Sequence, residues 1–310
     1  MPTFATPEPI AATIELPVVG DLRVTASDRT DTVVQVSPRN PSKAADVRNA
    51  EQTTVEYADG RLRVRAARHW SQHLPFGDTG AIEVTVELPT GSSLDGDLAM
   101  GRVLGEGELG RCQVTTAMGD IRFDHTAALG LKTAFGNITV DRAAGDVEAA
   151  TSSGKVRFGA IEGTALLKNS NGDTTVGAVT GAVRVKASNG DVTIERAHES
   201  VSARTANGDI SVGRADGSVS AKTSRGDVRI AEVSQGTTVA ETAAGEVEVG
   251  IGQGVSAWLD LRSSFGEVRN SLDEADGPET PERTVEVRAH TSIGDILIHR
   301  ALAQAAPSKG

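Results

Sequence analysis

Residues 171–230 read NGDTTVGAVTGAVRVKASNGDVTIERAHESVSARTANGDISVGRADGSVSAKTSRGDVRI. Asn-Gly-Asp recurs from Asn171, Asn189 and Asn207, and Arg225-Gly226-Asp227 continues the series in the same register. Apolar residues stand two and four positions after the turn glycines Gly190, Gly208 and Gly226, as Val192 and Ile194, Ile210 and Val212, Val228 and Ile230. They do so again in the intervening half-repeats, as Val201 and Ala203, then Val219 and Ala221. Strict alternation over so short a run is the mark of a strand with one buried face. A further aliphatic residue falls seven after the turn glycine, at Val179, Ala197, Ala215 and Val233. Each half-repeat therefore reads as a short strand, a corner and a glycine.

Followed outward, the motif covers most of the chain. Its glycines are Gly101, Gly119, Gly136, Gly154, Gly172, Gly190, Gly208, Gly226, Gly245, Gly266 and Gly294, with spacings of 17 to 19 up to Gly245 and then 21 and 28. Gly110, Gly145, Gly163, Gly181, Gly217, Gly236 and Gly254 fall midway, with Glu199 standing in at one position. A single coil of this kind cannot enclose a core, but coils stacked about 4.8 Å apart bury a continuous inner column and pair their backbones with one another. The pattern predicts an all-β, single-domain parallel β-solenoid (β-helix) with roughly 18-residue coils and an N-terminal β cap. The eleven marked coils would have a repeat axis on the order of 50 Å, and right-handed crossovers are expected. A glycine near every ninth residue excludes helix here, since each costs about 1 kcal/mol in a helix interior.

The ends are less regular. The runs IAATIEL, DTVVQVS, TTVEYADGRLRVRA and AIEVTVELP alternate within residues 10–97, and Asp59-Gly60 between two of them signals a hairpin. We assign residues 1–9 to an N-terminal extension, 10–97 to the N-terminal β cap with irregular coils, 98–300 to the regular solenoid, and 301–310 to a flexible tail. Residues 270–283, NSLDEADGPETPER, read as an acidic loop inserted in the solenoid.

Composition narrows the function classes. The 310 residues are 38% hydrophobic but only 3% aromatic, so the core is built of small aliphatic groups. Thirty-one basic against 42 acidic residues give a net charge of −11, which argues against a nucleic-acid partner. The single cysteine, Cys112, rules out an intramolecular disulfide and any Cys-built zinc site. No stretch approaches a transmembrane span and the N-terminus lacks the pattern of a signal peptide, so the expectation is a cytoplasmic protein as encoded.

Candidate chemistry is sparse. The turn residues Gly119, Asp120, Gly172, Asp173, Gly190, Asp191, Gly208, Asp209, Gly226 and Asp227 form an acidic row that invites a calcium reading. Calcium-binding nonapeptide β-rolls carry paired glycines and a different aspartate position, and one carboxylate per coil is too few oxygens for that ion. These residues are read as structural turns. Asn171, Asn189 and Asn207 are read as a stacked amide ladder. Lys132, Lys168, Lys186, Arg204 and Lys222 are read as a charge-balanced outer row. Phe123, Phe135 and Phe158 fall at or next to core positions. His69, Trp70, His73 and Phe76 form the candidate interaction loop; the two histidines stand four apart but lack the glutamate of a zincin. No phosphate-cradling loop or nucleophile elbow is present. We expect no catalytic residues, no cofactor and no metal.

The glycine-acid-Val/Ile turns, from AMGDIRF at 117–123 through SIGDILI at 292–298, resemble a bacterial β-strand-repeat family of no assigned activity whose members are often labelled adhesins; the look is that of an actinobacterial member. The resemblance implies a single-stranded parallel β-helix and association with the cell envelope, and it carries over no ligand residue. The expected function is a non-enzymatic scaffold or protein-interaction module, adhesin-like, acting through a protein partner or self-association. The alternative is a carbohydrate-binding or polysaccharide-active β-helix protein of the envelope.

Overall fold

In the computed structural model, which describes residues 1–67, 80–272 and 283–301, each regular repeat forms two short strands joined by two corners. Strands of like position pair in parallel from coil to coil. The fold is all-β, a parallel β-solenoid with an N-terminal β cap. The chain divides into two compact units, Met1–Gly163 and Thr164–Gly310.

The N-terminal unit is organised around one long strand, Ala11–Ser27, which supplies both halves of a coil. Its first half pairs in parallel with Arg61–Arg65 on one side and Ser93–Leu98 on the other; its second half pairs with Ala81–Pro89 and Val103–Glu106. The outermost parallel strands are then covered by antiparallel ones, Thr54–Ala58 on Arg61–Arg65 and Asp31–Pro38 on Ala81–Pro89. Asp59 and Gly60 both take positive φ, 49° and 72°, as a two-residue hairpin turn demands. A short helix, Ala44–Glu51, adds to this cap. Its buried Asp46 carboxylate accepts the Asn40 and Ala81 amides, and Asn49 Nδ2 donates to the Gly80 carbonyl at 3.0 Å. Such pairing blunts an end that would otherwise offer open strand edges.

Side-chain volume in this unit is balanced down one inward column. Gly105, Phe123, Val140 and Phe158 lie in register on successive coils, and both phenylalanines are buried. A Cβ on Gly105 would stand 2.2 Å from Phe123 Cδ1, so the glycine makes the room that the ring fills. Phe135 does not join them. It lies on a corner and is 57% exposed, because its place in the repeat is that of the residue before the turn glycine.

In the C-terminal unit the repeat is most regular. Val183, Val201, Val219 and Thr238 stack on one face; Val192, Ile210, Val228 and Val247 stack on the other. All of these are buried, as are Ala197, Ala215 and Val233. The order of coils in space departs from their order in the chain. The coil 284–300 lies between the coil 236–251 and the coil 256–270, pairing with both on each face. The last coil of the stack is therefore 256–270, and the chain doubles back to insert its final strands beneath it.

Candidate functional site

Each regular corner is built by three neighbouring residues with distinct tasks. At Gly208 φ is +134°, and a Cβ would meet the Gly190 carbonyl oxygen of the neighbouring coil at 2.2 Å, so only glycine lets the coils approach. The acid that follows caps the next coil: Asp191 Oδ1 accepts the Asp209 amide at 2.9 Å, Asp209 Oδ1 the Asp227 amide at 2.8 Å, and Asp227 Oδ1 the Glu246 amide at 2.8 Å. Asp173 Oδ1 accepts more loosely, at 3.4 Å from the Asp191 amide. In the N-terminal unit Asp120 Oδ1 accepts the Asn137 amide at 2.7 Å, beside Gly119. The residue before the glycine points outward. Asn207 Nδ2 donates to Asn189 Oδ1, and Asn189 Nδ2 to Asn171 Oδ1, each at 2.9 Å.

A fourth element of the corner is a column of inward hydroxyls three residues before the glycine. Thr133, Thr151, Thr205, Thr223, Thr242 and Thr291 each donate to the glycine carbonyl of the neighbouring coil. The Gly172 carbonyl has no such threonine, since Ala187 stands at that step; Asn169 Nδ2 donates to it instead at 2.8 Å. The recurrence of Thr before Ser/Ala-x-Gly is visible in the sequence. Its meaning is not, because a threonine in an alternating run passes for an ordinary strand residue.

The outward corner position is where this surface stops being uniform. In the N-terminal unit it carries Val19, Met100, Met118 and Phe135 on successive coils, in register. Met100 is 40% exposed and Met118 45%, and with Phe135 they make an apolar ladder about 10 Å long at coil spacing. Lone exposed apolar residues are ordinary, whereas a contiguous row of them marks an interaction site. Met side chains also adapt their shape to what they meet.

An open groove of about 530 Å3 runs beside the ladder, lined by Met100 and Met118 together with Asp21, Arg39, Glu83 and Arg102. A second, of about 490 Å3, continues from Asp21, Glu83 and Arg102 to Arg23, Asp120 and Arg122. Asp21 is the organising group. Its Oδ1 accepts the Arg102 amide at 2.9 Å, and its Oδ2 receives Arg39 Nη2 at 2.7 Å and Arg102 Nη2 at 3.1 Å. Partial burial raises the Asp21 carboxyl, but the Arg102 hydrogen bonds and the charges of Arg39 and Arg102 outweigh it and hold the pKa below its ordinary value. The groove is thus a fixed array of both signs beside an apolar row, a combination suited to docking a protein surface.

The other candidates are placed as follows. His69, Trp70, His73 and Phe76 lie outside the described residues, as do residues 273–282 of the acidic loop and 302–310 of the tail. Lys168, Lys186, Arg204 and Lys222 stack in register, and Lys222 Nζ meets Glu241 at 2.6 Å. Lys132 is flanked by Thr115 and Ala150, so it has no basic neighbour in its column. Cys112 is buried, and burial pushes its thiol up to about 12, far from a reactive thiolate. Among the described residues no group of three or more His, Cys, Asp and Glu side chains is placed to hold a metal ion. Nor is any described helix long and apolar enough to cross a membrane.

A family model described as Toastrack DUF4097 matches residues 14–301. No curated protein matches the chain. Among solved structures, an inferred cell adhesion protein of Clostridium sporogenes is 11% identical, with 96% of this chain and 98% of that one covered and a TM-score of 0.24. An inferred adhesin of Bacteroides fragilis is 11% identical over 96% and 95%, with a TM-score of 0.27. An inferred lipid binding protein of Parabacteroides distasonis is 12% identical over 95% of each chain, with a TM-score of 0.28. At such TM-scores these likenesses carry no argument about arrangement or ligand.

Proposed function

Since the chain belongs to the Toastrack DUF4097 family, we propose that it is a non-enzymatic β-solenoid scaffold, adhesin-like in kind, that binds a protein partner through the corner of its N-terminal unit. The observation that carries this reading is the exposed ladder of Met100, Met118 and Phe135 beside the charged groove at Asp21 and Arg102. At the same corner position Asn171, Asn189 and Asn207 bond to one another through their amides, whereas Met100, Met118 and Phe135 form an apolar run; a second, separate apolar pair, Ile293 and Phe265, stands at this position in the C-terminal unit. A partner that fits would lay an apolar ridge along the ladder and answer the alternating charges of the groove with charges of its own.

The experiment is affinity capture from soluble and envelope fractions of the host, comparing the wild type with Met100→Asp/Met118→Asp/Phe135→Asp. All three side chains are exposed, so the variant should keep its β-sheet circular dichroism. The expected result is a stoichiometric partner retained by the wild type and lost by the variant, and the fraction that yields it tells cytoplasm from envelope. Equal retention by both proteins would sink the proposal.

A further inference from the structure

Among the described residues, the far edge of the C-terminal unit has no strand paired to it. Strand Ser256–Phe265 pairs with Thr284–Ile293 on one side and with no described residue on the other, and Val268–Asn270 likewise pairs only with Ile296–Ile298. No described residue covers the core columns that end there. Leu259 and Leu261 are only half-buried, whereas their neighbours Val287 and Ala289 one coil in are fully buried. Val268 is 45% exposed beside the buried Ile296, and Trp258 and Phe265 are each 75% exposed. A ten-residue strand with open apolar columns is a template for pairing with another strand.

The edge has its own polarity. The Ser256 amide donates to the Arg283 carbonyl, so the backbone groups of the even-numbered residues turn toward the inner strand. Those of Ala257, Leu259, Leu261 and Ser263 turn toward the open side. On the outer face, Asp260 and Arg262 carry opposite charges two residues apart.

We propose that this edge is occupied by the same edge of a second copy of the chain, in a two-fold dimer with Leu261 at the dyad. Two-fold mates meet antiparallel, so Leu261 faces Leu261, Leu259 faces Ser263, and Asp260 faces Arg262 twice. The residues whose backbone groups address the open side become the hydrogen-bonded pairs, about six bonds in all. Asp260 and Arg262 then fall on non-hydrogen-bonded pairs, where cross-strand side chains are closest. A shift of two residues either way sets Asp260 against Asp260 or Arg262 against Arg262, so charge alone selects this register. Trp258 sits diagonal to Arg262 of its mate, within reach of a cation–π contact. The dimer also covers Leu259, Leu261 and Val268 with their own equivalents.

Sedimentation equilibrium of the full chain over a wide concentration range tests this. The wild type is expected to show a reversible monomer–dimer equilibrium. Arg262→Asp and Asp260→Arg should each weaken it at least tenfold, because each places like charges opposite across the dyad. Mixed one to one, the two variants should recover a heterodimer, since their charges are again complementary. Both side chains are more than half exposed, so neither change is expected to disturb the coil. A wild type that stays monomeric overturns the proposal, even if a different protein is captured on this edge. So does a dimer indifferent to both reversals, or a mixture that fails to reassociate. Substituting Met100, Met118 and Phe135 should leave the dimer unchanged, which keeps this outcome separate from the partner site of the N-terminal unit.

Discussion

Replacing Gly208 by alanine should destabilise the C-terminal unit far more than the same change at Gly254. Alanine at φ +134° costs of order 1–3 kcal/mol in backbone strain alone. Its Cβ would also stand 2.2 Å from the Gly190 oxygen, so the two coils must separate. Separation strains the Asp209 amide bond to Asp191 Oδ1 and the Gly190 amide bond to the Asn207 carbonyl, both 2.9 Å; at about 1 kcal/mol each this adds ~2 kcal/mol. The sum is ~3–5 kcal/mol. Gly254 lies in the same unit with φ +71° and nothing within 4 Å of a built Cβ, so Gly254→Ala should cost only ~1–2 kcal/mol. With a urea m-value of about 2 kcal/mol/M, the midpoint should fall by ~1.5–2.5 M for Gly208→Ala and by ~0.5–1 M for the control. Urea titrations followed by far-ultraviolet circular dichroism read both. Equal shifts would refute the claim that close approach of coils, rather than φ alone, requires glycine at the corner.

Three further outcomes follow from the same geometry. Asp209→Ala removes the acceptor for the Asp227 amide and should cost about 1 kcal/mol, whereas Asp209→Asn should be nearly silent, because Asn137 Oδ1 already caps the Lys155 amide at 2.8 Å; denaturant midpoints of the two variants decide it. The folded-state pKa of Asp21 lies below its unfolded value, so its contribution is fully present above the ordinary value of 3.8 and is lost as pH falls through the lowered folded value. In Asp21→Asn the acid limb of stability against pH should be shallower than in the wild type, and identical acid limbs would contradict the assignment. Cys112, buried and with its thiol pushed up to about 12, should resist a thiol-specific reagent at pH 8 in the native protein and react fully in denaturant. Fast native labelling would show that its coil opens.

The strands, their parallel stacking and the inward columns were legible in the sequence, and so was the hairpin at Asp59-Gly60. In a solenoid each coil meets nearly the same neighbours, so one local rule repeats, and the period of the glycines together with alternation at Val192 and Ile194 is enough to state it. The corner chemistry was partly legible. The acids and asparagines announce themselves by position, while the threonine column hides among strand residues. Phe123 and Phe135 show the limit of pattern: each is a ring in an alternating run, yet one is buried against Gly105 and the other stands on a corner.

What the sequence by itself determined is the coil: its length, its two strands, which residues face inward and why glycine turns it. What only the tertiary structure decided is where the repetition ends. Ala11–Ser27 slides between coils that follow it in the chain, and Thr284–Arg300 slides beneath the coil that precedes it. Both choices rest on contacts between residues far apart in sequence, where any coil of the right period could pair with any other and only the closure of a whole end selects among them. The ladder at Met100 is exposed by the local rule itself, since each of its residues precedes a turn glycine. The long-range choice is what leaves the edge at Leu261 unpaired among the described residues, because inserting Thr284–Arg300 beneath it makes 256–270 the terminal coil.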